Sequence, residues 1–173
     1  TQTHHLVETK IILRSDKMVS GSISFEVETP LEAQRVWNAF VKDGHNLLPK
    51  QVPEVPSSIT FIQGDGGVGS IKHHIYSNQE FSFVKELVEE VDEEKFVYRY
   101  SHVEGGMFEN TLASAKYEVK YTPKAEGAAM YSTMETLPSV THEESKVQEI
   151  KEKTTSLFKR IEAYLLANPT LYV

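Results

Sequence analysis

Four of the chain's nine glycines fall in one short stretch, Gly64-Asp65-Gly66-Gly67-Val68-Gly69-Ser70. Gly64, Gly66 and Gly69 spell G-x-G-x-x-G, the spacing with which backbone amides cradle a pyrophosphate in dinucleotide enzymes or cover ATP in kinases. The dinucleotide version must open a helix, whereas Ser70-Ile71-Lys72-His73-His74-Ile75-Tyr76 reads as a strand. The kinase version needs H-R-D and D-F-G downstream, and neither occurs. The stretch Gly64–Gly69 is therefore expected to be a hairpin loop whose glycines supply positive φ, holding an anion at most adventitiously.

Other chemistry is narrowed by residue type. His73 and His74 are neighbours on a strand and point to opposite faces, so they cannot share a metal ion, and no other spacing suggests one. The chain has no cysteine, which removes thiolate nucleophiles, zinc-thiolate sites and disulfides and is compatible with a reducing cytoplasm. No G-x-S-x-G elbow is present. Glu89-Glu90 and Asp92-Glu93-Glu94 read as a solvated strand end and turn. A formal charge of −7 disfavours a broad grip on nucleic acid or an anionic membrane. No apolar run reaches the roughly 18–20 residues that span a bilayer. No cofactor is expected.

These groups must be held by ordered elements, and 173 residues suffice for one domain with a real core. Thr1–Lys17 lacks a pattern and is read as a leader or tag-like extension, leaving 18–173 as the domain. Ile23, Phe25 and Val27 alternate with polar residues as a strand. Thr29 and Pro30 open a short helix carrying Val36, Trp37, Phe40 and Val41, and a second short helix lies around Leu47–Val52. Six strands follow: Ile59–Gln63, Ser70–Tyr76, Phe81–Val91, Lys95–Glu104, Thr111–Tyr121 and Gly127–Thr136. From a capping box at Thr141 and Glu144, an apolar stripe through Val147, Ile150, Leu157, Phe158, Ile161 and Leu165 predicts one helix of about 26 residues, roughly 39 Å long. Consecutive strands with short connections pair antiparallel, and only the long helix can cover their apolar face. The fold class is α+β.

Strand parity assigns the inward face. Tyr98, Tyr100 and His102 share one side, Ala115, Tyr117 and Val119 another, and the last strand is expected to turn Met130, Ser132 and Met134 inward. Buried tyrosines need partners and methionine adapts to irregular contents, so this face suits a ligand cavity. It equally suits a core with its hydroxyls at the rim.

Several separated motifs, "DGHNLLPK" (Asp43–Lys50), "SSITFIQGDGGVGSIK" (Ser57–Lys72), "VEEVDEEKFVYRYSHVEGG" (Val88–Gly106) and "EAYLLANP" (Glu162–Pro169), occur in the order found in the birch pollen major allergen family, the plant pathogenesis-related class 10 proteins. The sequence resembles that family from about Ser22 to Tyr172. The resemblance implies a helix-grip fold: a seven-stranded curved antiparallel sheet around a long C-terminal helix, with two short helices and a large internal cavity. It also implies a cytoplasmic, monomeric or weakly dimeric, defence-linked protein that binds amphipathic small molecules such as phytohormones and flavonoids, without a nucleic-acid or membrane partner. Implied ligand contacts are Phe40, Lys72, Phe81, Phe83, Glu86, Tyr98, Tyr100, Tyr117, Met130, Met134, Leu157 and Ile161. The glycine loop departs from the family pattern at Gln63, Val68 and Ser70.

Some proteins of this family are enzymes. At the positions of the norcoclaurine synthase catalytic set this chain has Val84, Glu86, Tyr98 and Tyr117, so only the glutamate is matched and that condensation is not expected. An alternative acid–base activity, as an isomerase, cyclase or condensing enzyme, would rest on Glu86, whose pKa an apolar cavity is expected to raise. A ribonuclease is the weaker alternative, lacking a histidine pair or basic groove.

Overall fold

A computed structural model describes residues 10–13, 21–54, 56–77, 82–106, 115–137 and 144–173. Strands β1 (Lys10–Leu13) and β2 (Gly21–Thr29) are followed by two short helices, α1 (Ala33–Trp37) and α2 (Gly44–Gln51). Then come β3 (Ser58–Gln63), β4 (Ile71–Ile75), β5 (Phe83–Asp92), β6 (Val97–Gly105), β7 (Lys116–Pro123) and β8 (Ala129–Leu137), and the chain ends in α3 (Glu144–Ala167). The strands form one antiparallel sheet in the order β1-β2-β8-β7-β6-β5-β4-β3. Seven correspond to the expected set. The eighth is Lys10–Leu13, from the segment set apart by its lack of pattern, which pairs with Gly21–Ser24 at the sheet edge.

The first helix starts later than expected. Thr29 stays in β2, paired with Ala129, and its hydroxyl accepts the Leu31 N–H at 3.2 Å, a local turn that delays helix entry until Ala33. A wider π turn, Asn38–Lys42, then carries Phe40. The long helix is described over 24 residues, and the Thr141 half of the expected capping box lies outside the described residues.

The core lies between the concave face of the sheet and α3. Trp37, Val36, Ile161 and Leu165 are fully buried, with Phe25 and Phe158 at 2% exposure. Phe158 stacks on Phe40 at 5.2 Å and on Tyr131 at 4.8 Å, so one α3 ring joins the short-helix region to β8. Burying such a ring stabilises the fold by roughly 2–3 kcal/mol. The far end of α3 is held by Arg35, whose guanidinium donates to the carbonyls of Leu165 at 2.7 Å, Asn168 at 2.8 Å and Leu171 at 2.9 Å. The cation satisfies carbonyls that a helix end leaves open.

Strand alternation sets which side chains face inward. In β5 it puts Val84, Glu86 and Val88 on the buried side, and the pairing with β6 shifts register at Lys85/Glu86 and Val88/Glu90. In β8 the buried residues are Ala129, Tyr131, Thr133 and Glu135. This corrects the expected parity. Met130 pairs with Thr122, the alternation opposite to Tyr131 and Glu135, because Tyr121 pairs with Tyr131 and Tyr117 with Glu135; the side chain of Met134 lies outside the described residues.

Candidate ligand site

The glycine loop is closed on itself. The Gly66 N–H donates to Ser70 Oγ at 2.9 Å, Gly69 N–H to the Val88 carbonyl and Ser70 N–H to the Gly67 carbonyl. A Cβ on Gly64, at φ +72°, would lie 2.4 Å from Ser70 Oγ, so a side chain there forces Ser70 to shift. With these amides satisfied internally, the loop is a hairpin joint.

Behind it, between the sheet, α2 and α3, lies a cavity of about 160 Å³. Phe40, Leu48, Val119, Tyr121, Leu157 and Phe158 make most of its wall apolar. That is smaller than the roughly 300 Å³ at which drug-sized sites begin, and comparable to a void that accepts one benzene-sized ring. His45 and Ile59 line both this cavity and an open depression bounded by Asp43, Pro49, Lys50 and Ser57, so the opening lies between α2 and β3.

One wall is polar. β4 presents Lys72 and His74, two residues apart and hence on one face, and β5 presents Glu86, whose register partner is Lys72. Lys72 Nζ donates to the Tyr98 hydroxyl at 2.8 Å, and that hydroxyl donates to Glu86 Oε1 at 2.8 Å. Lys72 Nζ is also 3.6 Å from Glu86 Oε1. His74 Nε2 stands 3.1 Å from Glu86 Oε2, at ion-pair distance but out of hydrogen-bond alignment.

These neighbours overturn the expected protonation of Glu86. Burial pushes its carboxyl up, but His74, Lys72 and His102 outweigh burial and hold it well below the usual carboxylate range. Glu86 is thus a fixed anion and a weak proton acceptor. Burial pushes the Tyr98 phenol far up, with Glu86 adding to it, so Tyr98 keeps its proton. Burial lowers His102 to about 4 against the pull of Glu86, so its ring is neutral at pH 7 and is charged only in the acid range where Glu86 takes up its proton.

The other residues expected at the site divide clearly. Phe40, Lys72, Glu86, Tyr98, Tyr100 and Leu157 line the cavity together. Tyr117 stands beside it, stacked on Tyr100 at 4.8 Å. Ile161 is buried in the core. Phe83 lies on the opposite side of β5 from Glu86, its ring 5.5 Å from His73, so it is not part of the wall. Met130 is excluded by the β8 register, and Phe81 lies outside the described residues. His74, Tyr121, Tyr131 and Phe158 line the cavity without having been singled out. For His74 the signal was its even spacing from Lys72. Among the described residues no group of three or more His, Cys, Asp or Glu could hold a metal ion, and no helix is long and apolar enough to cross a membrane.

Residues 18–168 match the model of the pathogenesis-related protein Bet v 1 family. The chain belongs to that family. Pathogenesis-related protein 1 of Asparagus officinalis is 38% identical over 90% of this chain and all of its own length, and the major strawberry allergen Fra a 1.08 of Fragaria ananassa is 37% identical over 88% and 99%. The crystal structure of Ara h 8.0201 superposes with a TM-score of 0.71 at 26% identity, covering 86% of this chain and 99% of that one. Norcoclaurine synthase from Thalictrum flavum, with a TM-score of 0.67 at 23% identity over 92% and 98%, shares the fold. As a Bet v 1 family protein the chain is of a general small-molecule-binding type.

Proposed function

We propose that residues 18–173 form a binding protein for an amphipathic small molecule, aromatic or hormone-like, acting in the cytoplasm as part of a defence response. The observation that carries this reading is the Lys72–Tyr98–Glu86–His74 cluster on the wall of an otherwise aromatic cavity. A buried network of this kind is costly to maintain and offers a ligand carbonyl or hydroxyl both donors and an acceptor. The apolar body of the ligand rests against Phe40, Leu157 and Phe158. At about 160 Å³ the cavity takes one ring fully, and a second ring of a cytokinin- or flavonoid-sized ligand extends toward the α2–β3 opening. Catalysis through Glu86 is disfavoured by its lowered pKa.

Displacement of a fluorescent probe, with native mass spectrometry, against a panel of phytohormones and flavonoids tests the reading. Tyr98→Phe is expected to weaken binding of a hydroxylated or carbonyl ligand roughly tenfold, the effect of about 1.4 kcal/mol. Saturable binding by none of the panel would sink the proposal. A green-fluorescent fusion expressed in plant cells reads the location.

A further inference from the structure

Glu135 is a second buried carboxylate on the cavity side of the sheet, and nothing in the ligand site above uses it. It is 9% exposed, on β8, paired across the sheet with Ile23 of β2 and Tyr117 of β7. β7 and β6 lie between β8 and β5, and neither Lys72 nor His74 acts on Glu135, whose carboxyl is shifted by burial.

The surroundings of the two carboxylates differ in kind. Glu86 has Lys72, His74 and the Tyr98 hydroxyl. Glu135 has no hydrogen bond or ion pair among the described residues. The titratable groups that feel its charge are Tyr100, Tyr117 and Tyr131, one from each of β6, β7 and β8. Tyr117 stacks on Tyr100 with the rings 11° from parallel, and the neutral His102 ring lies 4.5 Å from Tyr117. On the β2 side stands Ile23, at 1% exposure. Among the described residues this nearly buried carboxylate beside tyrosine rings has no counter-cation, and ring faces themselves attract cations.

We infer that Glu135, with Tyr100 and Tyr117, is a recognition site for the protonated amine of an amphipathic aromatic ligand. The inference rests on the chain being a small-molecule binder and deepens that reading, because it names a ligand class and a second anchoring point. Tyr100 lines the cavity and stacks on Tyr117, the cross-strand partner of Glu135, so a ring against Tyr100 brings an amine toward the carboxylate. The acid accepts the ammonium by giving up its own proton to solvent. Burial raises Glu135 to about 7, so a fraction of the molecules carry that proton near neutral pH.

Isothermal titration calorimetry with 1-naphthylmethylamine and its near-isostere 1-naphthylmethanol, in two buffers of different ionisation enthalpy at pH 7, tests the assignment. The amine is expected to bind at least tenfold more tightly and to release a measurable fraction of a proton, and the alcohol to release none. In Glu135→Gln, of the same shape, both the preference and the proton release disappear. Equal affinities, amine binding without proton release by the wild-type protein, or a preference that survives in Glu135→Gln each overturn the site. The wild-type proton count needs no variant to fold. Binding of the alcohol without preference for the amine sinks only this inference, whereas binding of neither sinks the inference and fails a first test of the ligand-binding reading.

Discussion

Glu86 and Glu135 are buried on the same face of one sheet and are pushed in opposite directions, the first toward its anion and the second toward its neutral acid. Burial raises both. Only Glu86 has cationic neighbours that outweigh it.

The pair gives a pH dependence whose sign can be worked out. Glu135 rises from 4.5 to about 7 on folding, so its contribution is full below pH 4.5, falls between 4.5 and 7, and levels off above. The cost at high pH is on the order of 3 kcal/mol, from about 1.4 kcal/mol per pKa unit. Glu135→Gln is therefore expected to melt higher than wild type at pH 8, with the gain shrinking toward pH 5, as read by circular dichroism. A melting point unchanged at both pH values would contradict the raised pKa.

Glu86 carries the opposite sign. Its stabilisation is present above pH 4.5 and is lost as pH falls below that value, when the carboxylate must take up a proton. Glu86→Gln leaves Lys72, at 8% exposure, without its anion and is expected to lose roughly 3–5 kcal/mol in urea unfolding at pH 7. The double change with Lys72→Met should recover a large part of that loss, since both charges then leave together.

Arg35 joins the first short helix to the last turn of α3 and the segment after it. Arg35→Ala removes three charge-assisted hydrogen bonds and is expected to cost about 2–3 kcal/mol. Amide hydrogen exchange should accelerate over the stretch from Leu165 to Tyr172 more than in the sheet. A uniform change across the molecule would show that the clamp is not local.

Two glycines of the hairpin loop separate steric from conformational cost. Gly64→Ala meets Ser70 and also carries φ +72°, whereas a Cβ on Gly69, at φ +86°, meets nothing within 4 Å. The first should lose about 2–3 kcal/mol and the second about 1 kcal/mol. Equal losses would mean that the Ser70 contact relaxes freely.

Local pattern alone determined the order of the elements from β2 onward, the α+β class and the family. Ile23, Phe25 and Val27 alternate, the α3 stripe repeats at 3.6 residues, and the motifs from Asp43 to Pro169 stand in a characteristic order; each is a property of neighbours along the chain. It also placed Tyr98 and Tyr100 on an inward face, since alternation within a strand is local, whereas Lys72 was implied only by the family resemblance. What it could not assign was the face of β8, where Met130 and Tyr131 are both apolar enough to turn inward; the pairing of Tyr121 with Tyr131 decided that. Nor could it set the state of a buried acid. Glu86 and Glu135 are the same residue type, and the cations that distinguish them reach Glu86 from another strand, so only the assembled sheet made one a fixed anion and left the other near neutrality.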